Sequence, residues 1–315
     1  MLAGRRIDTQ IDFNLVQRWI KVCSAHGPAC SKQTFFGRKV SHIRLIDIDR
    51  RRLVWRTTSE AYTALSYMWG PPSLPQVRLT RSTQAGLFLD GALAEDNNMI
   101  PRTIRDAMLV CERLAIPYLW VDALCIEQDS TDFNAHLRMM NDIYASAYLT
   151  LAAAAGEDSW TGLRGVLPNS RKIHQTSIAI DGWDIGLATP HFLSFVIRSP
   201  WANRGWTFQE RLFSKRMLIF GEHQCFFYCD KAIRIETTIT EVDEECHEKS
   251  HYFPTANHWV SDREKLYILS GRLENGLKEY FSLFSNHRTF SLTYEEDVLR
   301  AFGGVIATFE ENMSS

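Results

Sequence analysis

The sequence predicts an α/β fold: a mainly parallel β-sheet flanked by helices, with added β-hairpins and a helical C-terminal segment. Three observations carry the prediction. Short apolar runs at 63–67, 118–121 and 148–153 read as buried strands. Stretches with helical periodicity, at 101–115 and 132–145, separate them. Prolines and glycine punctuate the joins: Pro71, Pro72 and Pro75 after the first strand, Pro117 before the second, Gly156 after the third. Strand–helix–strand–helix–strand is the pattern of parallel strands joined by helical crossovers.

The elements follow in order. Residues 1–59 read as an N-terminal extension of a core at 60–235, and 236–315 as a helical segment packed on that core. The extension is expected to hold a short amphipathic helix over 14–22, a charged strand over 43–47, a turn at Arg50-Arg51-Arg52 and a strand over 53–56. In the core, the helix at 101–115 starts on Pro101 and lines up Ile104, Ala107, Met108, Cys111 and Leu114 on one face. The helix at 132–145 turns Leu137, Met140, Ile143 and Tyr144 inward. Asp181-Gly182 marks a turn, so 178–187 reads as a hairpin inserted into the sheet domain. A helix is expected at 205–214, paired strands at 216–220 and 224–228, and further helices at 263–280 and 294–308.

Composition narrows the function. The 35 Lys and Arg balance 37 Asp and Glu, so no global charge attracts a polyanion, and nucleic acid is not an expected partner. The N-terminal residues lack the apolar core of a signal peptide, and the longest apolar run is too short to span a bilayer. Seven scattered cysteines then read as reduced thiols in a cytoplasmic protein. There is no Gly-x4-Gly-Lys-Ser/Thr loop and no Gly-x-Gly-x-x-Gly opening a helix, which removes the usual support for an ATPase, kinase or dehydrogenase.

Open parallel sheets bind ligands beyond the carboxyl ends of their strands. Ser66, Trp69 and Gly70 follow the first core strand, Asp122 and Cys125 the second, Gly156 and Asp158 the third. All are expected along one edge. Glu210 and Trp206 are four apart near a helix start and share a face, with Arg204 and Gln209 close by. The helix dipole is expected to keep Glu210 ionised. A carboxylate beside an aromatic ring can hold sugar hydroxyls and stabilise positive charge at a glycosidic carbon. Alternatively, Glu210 pairs with Arg204 or Arg211 and Trp206 is core. Asp122 is either a polar contact at the sheet edge or a cap for the next turn. Trp69 is a pocket wall or core, Gly70 permits a turn or a close approach, and one of Ser66 and Tyr67 is expected to be buried. Cys125 reads as packing rather than as a nucleophile served by His136. Cys23, His26 and Cys30 have a spacing that suits zinc, with Cys225 or Cys229 as a fourth ligand, but structural zinc usually has tighter pairs, so no metal is assigned.

Three blocks carry a family resemblance. They are 62–70 (YTALSYMWG), 119–129 (LWVDALCIEQD) and 204–210 (RGWTFQE), supported by 140–147, 153–156 and 297–304. In this order they resemble the fungal heterokaryon-incompatibility (HET) domain. The resemblance implies a role in nonself recognition and programmed cell death, through self-association or another cell-death protein. That domain in turn resembles the Toll/interleukin-receptor (TIR) domain, a flavodoxin-like parallel sheet some members of which cleave NAD at the nicotinamide–ribose bond. Their motif has a catalytic Glu four positions past a Trp, a spacing met here by Trp206 and Glu210, with Thr207 where Cys is common. The resemblance implies Glu210 as the catalytic residue and NAD as substrate, with no prosthetic group. Trp206 and Trp69 would line the base pocket. Asp122 and Arg204 would add polar contacts, and Ser66 and Gly70 would complete the edge. The competing expectation is a non-catalytic signalling module in which Glu210 is structural.

Overall fold

The computed structural model describes residues 3–26, 30, 39–131, 139–171, 175, 177–181, 183–186, 192–196, 198–229, 231–239, 302, 303, 305, 306 and 310. Strand β1 (Ala3–Gly4) precedes helix α1 (Phe13–Ser24). The Asp12 carboxylate caps α1 by accepting from the amides of Asn14 at 2.9 Å and Leu15 at 3.3 Å. Leu15, Val16, Trp19, Ile20 and Cys23 form its buried stripe. Strands β2 (Ile43–Asp47) and β3 (Arg52–Arg56) make an antiparallel hairpin, followed by β4 (Tyr62–Ser66). Helix α2 (Arg102–Arg113) follows Pro101 and stops one residue before Leu114. Ala115 there adopts a positive φ of 55°, and the Ile116 amide reaches back to the Cys111 carbonyl at 2.9 Å, closing a left-handed helix end just ahead of Pro117.

Strand β5 (Tyr118–Trp120) leads into the single turn α3 (Asp122–Cys125). Helix α4 (Met140–Ser146), with Met139 in a turn before it, falls at the end of the helix expected over 132–145; residues 132–138 lie outside the described residues. Then come β6 (Leu149–Ala152), the hairpin β7 (Ser177–Ile180) and β8 (Trp183–Gly186), and helix α5 (Phe192–Val196). A 3-10 turn at Trp201–Asn203 opens helix α6 (Gly205–Phe213). Strands β9 (Arg216–Phe220), β10 (Cys225–Cys229), β11 (Ala232–Ile235) and β12 (Thr238–Ile239) follow, and β12 pairs with β1.

Eight strands form one mixed sheet in the order β11-β10-β9-β6-β4-β5-β2-β3. Its centre, β9-β6-β4-β5, is parallel throughout. In chain order these four strands run second, first, third, fourth across the sheet, so the order reverses between β4 and β6. The two hairpin wings are antiparallel, β2–β3 beyond β5 and β10–β11 beyond β9. The strands of the expected N-terminal extension are therefore one edge of the main sheet. The β7–β8 hairpin, by contrast, is a separate two-stranded sheet, with Asp181 at φ 50° in its turn.

Every residue of β4 is buried, as a parallel strand covered on both faces requires. Along β6, β9 and β10 the side chains alternate between two apolar layers. Leu151, Leu218 and Phe227 join the larger layer that includes α1, where Trp19 meets Phe227 at a ring distance of 6.2 Å. Ala152, Ile219 and Phe226 join the smaller layer under α5, where Phe192 meets Phe226 edge-on at 5.3 Å. Of the expected C-terminal helices, 263–280 lies outside the described residues, while Phe302 and Val305 are buried and Phe302 stacks on Phe208 of α6. Among the described residues, no helix is long and apolar enough to cross a membrane.

Candidate functional site

The carboxyl ends of β4, β5 and β6 meet as the strand order demands. Ser66 ends β4 opposite Ala152, the last residue of β6, at the point where the order reverses. Beyond β4, the Trp69 indole donates to Asp122 Oδ2 at 2.8 Å. Asp122 is the first residue of α3, and its other oxygen accepts from the Ala123 amide at 2.7 Å. It thus bonds the backbone of its own turn and the Trp69 indole at the edge. Gly70 has a φ of 81°, and a Cβ there would meet Asp158 Cβ at 2.6 Å, so the loops after β4 and β6 touch at a position only glycine fills. The Ser159 amide also bonds the Trp69 carbonyl, at 3.4 Å.

Helix α6 delivers Glu210 to the same place. The Thr207 hydroxyl donates to the carbonyls of Trp201 at 2.6 Å and Arg204 at 2.8 Å, folding the 3-10 turn onto the helix start. At its other end Ser214 donates to the Glu210 carbonyl at 2.6 Å and meets Thr150 of β6 at 2.7 Å. Held at both ends, α6 aims Glu210 at β4, where Ser66 Oγ donates to Glu210 Oε2. Ser66 Oγ in turn accepts from the Trp201 indole at 2.8 Å. The Tyr144 hydroxyl interacts with the same carboxylate and donates to the Leu65 carbonyl at 3.1 Å. Arg204 anchors itself by donating to the Tyr67 carbonyl at 2.9 Å, and its charge favours ionisation of both carboxylates.

Desolvation dominates the electrostatics. Burial pushes the Glu210 carboxyl up to about 7, with the Ser66 bond and Arg204 opposing it and the Asp122 charge adding to it. Burial likewise pushes Asp122 up to about 6, against the bonds from Trp69 and Ala123. The expectation that the helix dipole keeps Glu210 ionised is therefore corrected. Glu210 is the sixth residue of α6, past the first turn where the dipole acts, and it is 6% exposed.

Trp69 is half-buried under the Arg78 guanidinium, 4.9 Å from its ring centre, and Trp206 is a half-buried ring packed on the core. Ser66 and Tyr67 are both buried, where alternation led us to expect one. Cys125 is buried and accepts from the Val121 amide at 3.3 Å, and burial pushes its thiol up to about 12, far from a thiolate nucleophile. His136 lies outside the described residues. The residues that sequence reasoning missed are Trp201, Tyr144 and Tyr67. Read from sequence, Trp201 has no role and Tyr144 is only an inward-facing position of its helix.

Residues 62–210 match the family described as "Heterokaryon incompatibility protein (HET)". The match begins at the first residue of β4 and ends at Glu210, so it spans the parallel strands β4, β5 and β6 and the side chains around Glu210 and Asp122, though not Ser214. Comparison with curated proteins and with solved structures returned no match. Over this region the chain matches the heterokaryon-incompatibility family, and the match supports a role in heterokaryon incompatibility.

Proposed function

We propose, from the match of residues 62–210 to the heterokaryon-incompatibility family, that the protein acts in fungal nonself recognition by cleaving NAD at the nicotinamide–ribose bond, in the cytoplasm. The observation that carries the reading is Glu210. It sits at the reversal of the strand order, its carboxyl held near 7 and beside Asp122 near 6. Two carboxyls perturbed by burial at the carboxyl edge of a parallel sheet are the pattern of a reactive site. The strand order second, first, third, fourth is that of flavodoxin-like sheets, which supports a TIR-like reading.

In the proposed reaction the ribose C1′–N bond breaks and its electron pair leaves with nicotinamide, neutralising the pyridinium. Ionised Glu210 stabilises the oxocarbenium-like ribose, and water adds at C1′ and loses a proton. The products are nicotinamide and ADP-ribose. Glu210 exchanges its bond from Ser66 for one from a ribose hydroxyl. Asp122 and Arg204 supply polar contacts, Trp69 and Trp206 flank the base, and a second copy of the chain completes the site.

One observation favours a second reading. Glu210 is buried and already bonded to Ser66, as a purely structural carboxyl in an assembly module would be. The deciding experiment is nicotinamide release by purified protein at high concentration with a crowding agent, beside Glu210→Gln and Glu210→Ala proteins of verified fold. Release that both variants abolish supports NAD cleavage. Absence of release from folded, self-associated wild type assigns Glu210 to the assembly module.

A further inference from the structure

Outside this site, four thiol and imidazole side chains converge where α1 meets β10. Cys23 lies in the last turn of α1, and His26 follows in the turn that ends it. Cys30 comes four residues later, and Cys229 closes β10, nearly two hundred residues on. The three sulfurs and a ring nitrogen of His26 all lie within 4.8 Å of one another. His26 Nδ1 is 3.7 Å from Cys30 Sγ and 3.7 Å from Cys229 Sγ. In a tetrahedral zinc centre, with Zn–S about 2.3 Å and Zn–N about 2.0–2.1 Å, a sulfur–nitrogen edge spans about 3.6 Å. These two edges need almost no contraction, and the other donor pairs lie within 4.8 Å.

From this geometry we propose that Cys23, His26, Cys30 and Cys229 form a structural zinc site that clasps α1 to the sheet. The donor chemistry selects the ion. Three sulfurs and an imidazole suit a soft or borderline cation, and the absence of a carboxylate from the cluster disfavours magnesium and calcium. Four protein donors close the coordination sphere, which is the structural rather than the catalytic arrangement. All three cysteines are buried, at 0%, 2% and 2% exposure, so the cluster is not a surface accident.

The surroundings complete the fit. On binding, each thiol gives its proton to solvent, and zinc with three thiolates and a neutral imidazole carries one net negative charge. Arg216 faces Cys229 across the β9–β10 register, is itself buried, and donates to the Cys30 carbonyl at 2.7 Å and toward Ser24 Oγ at 3.4 Å. A buried guanidinium is thus built against the very segment that would carry the negative centre. Cys225 is excluded as the fourth ligand. It stands at the other end of β10, opposite Phe220, with its amide bonded to Glu236 at 2.9 Å.

The test is metal content of the full chain purified without chelator, followed by exchange with cobalt. We expect about one equivalent of zinc per chain, and a cobalt form with thiolate charge-transfer bands and the intense visible absorption of tetrahedral coordination. Cys229→Ser loses the metal, while Cys225→Ser keeps it. Should Cys229→Ser unfold the chain, His26→Cys serves as a second variant: it supplies four thiolates in place of three and an imidazole, and retains the metal with altered cobalt absorption. Chelation of the wild type lowers its melting temperature and exposes reactive thiols. Folded wild type that binds less than about 0.1 equivalent after exposure to zinc overturns the proposal. So does a cobalt form without thiolate bands, or a mass two hydrogens short that reveals a disulfide within the cluster.

Discussion

Trp69 and Asp122 are joined by an indole N–H to carboxylate bond of 2.8 Å that ties the loop after β4 to the turn opening α3. The bond opposes the desolvation that raises Asp122. Trp69→Phe keeps an aromatic ring and deletes the donor. Asp122 should then titrate above its present value of about 6, and unfolding stability should fall by about 1–3 kcal/mol. Carboxyl NMR titration and urea denaturation read the two effects separately. An Asp122 that does not move upward would show that the indole does not hold it.

Glu210 links stability to pH in a direction opposite to most carboxylates. Its ordinary value is 4.5 and its folded value about 7, so between these the folded chain holds a proton that the unfolded chain has released. Stability is therefore greatest below about 4.5, as far as this group is concerned, and is lost as pH rises through about 7. Glu210→Gln removes the titration. The variant should show a flatter profile and exceed wild type above pH 7 by on the order of 1–3 kcal/mol. Under the proposed reaction, activity runs the other way and rises through the same range, because the ionised carboxylate is the reactive form. Denaturation curves at several pH values, beside a pH–rate profile, test both signs.

Ser66 serves two partners, donating to Glu210 and accepting from the fully buried Trp201. Ser66→Ala removes an acceptor of the Trp201 indole and the bond that holds Glu210 down. Stability should drop by about 1–3 kcal/mol. Glu210 should titrate above about 7, which carries the pH–rate profile to higher pH with it. A loss of stability with no movement of the profile would detach Glu210 from the chemistry.

Much of this was readable beforehand, for a definite reason. Parallel strands present their carboxyl ends in one direction, so Ser66, Trp69, Asp122 and Asp158 had to converge once three strands and two crossover helices were recognised. What escaped was whatever depends on contacts from distant segments. Alternation assigns one wet face to a strand, yet β4 is covered on both sides and Tyr67 is buried beyond its end, so the pair Ser66 and Tyr67 was misjudged. Position in α6 suggested an ionised Glu210, and only the packing of Ser66, Tyr144 and Trp201 around it reveals desolvation as the larger effect. Cys225 and Cys229 are four apart and share a strand face, so spacing could not choose between them. The β9–β10 register does, setting one opposite Phe220 and the other opposite Arg216.

The N-terminal residues are fixed to the sheet by a second device, the buried pair of Arg171 and Glu236. The guanidinium makes two parallel bonds to the carboxylate, at 2.6 and 2.7 Å, with side-chain exposures of 0% and 3%. Its remaining donors reach the Asp8 carbonyl at 2.9 and 2.6 Å and the Gln10 carbonyl at 3.2 Å, while Glu236 also accepts from the Cys225 amide at 2.9 Å. One arginine thus joins its own loop to the N-terminal segment and to Glu236. Arg171→Met leaves a buried carboxylate without its cation and should cost about 3–5 kcal/mol. Arg171→Lys keeps the charge but cannot reproduce the planar fork, and should fall between that variant and wild type. Adding Glu236→Gln to Arg171→Met should cost less than the two single changes summed, because the second change removes a charge the first has already stranded. Urea denaturation of the four proteins gives the cycle. A coupling energy near zero would mean that the backbone carbonyls of Asp8 and Gln10, rather than Glu236, are what hold Arg171 in place.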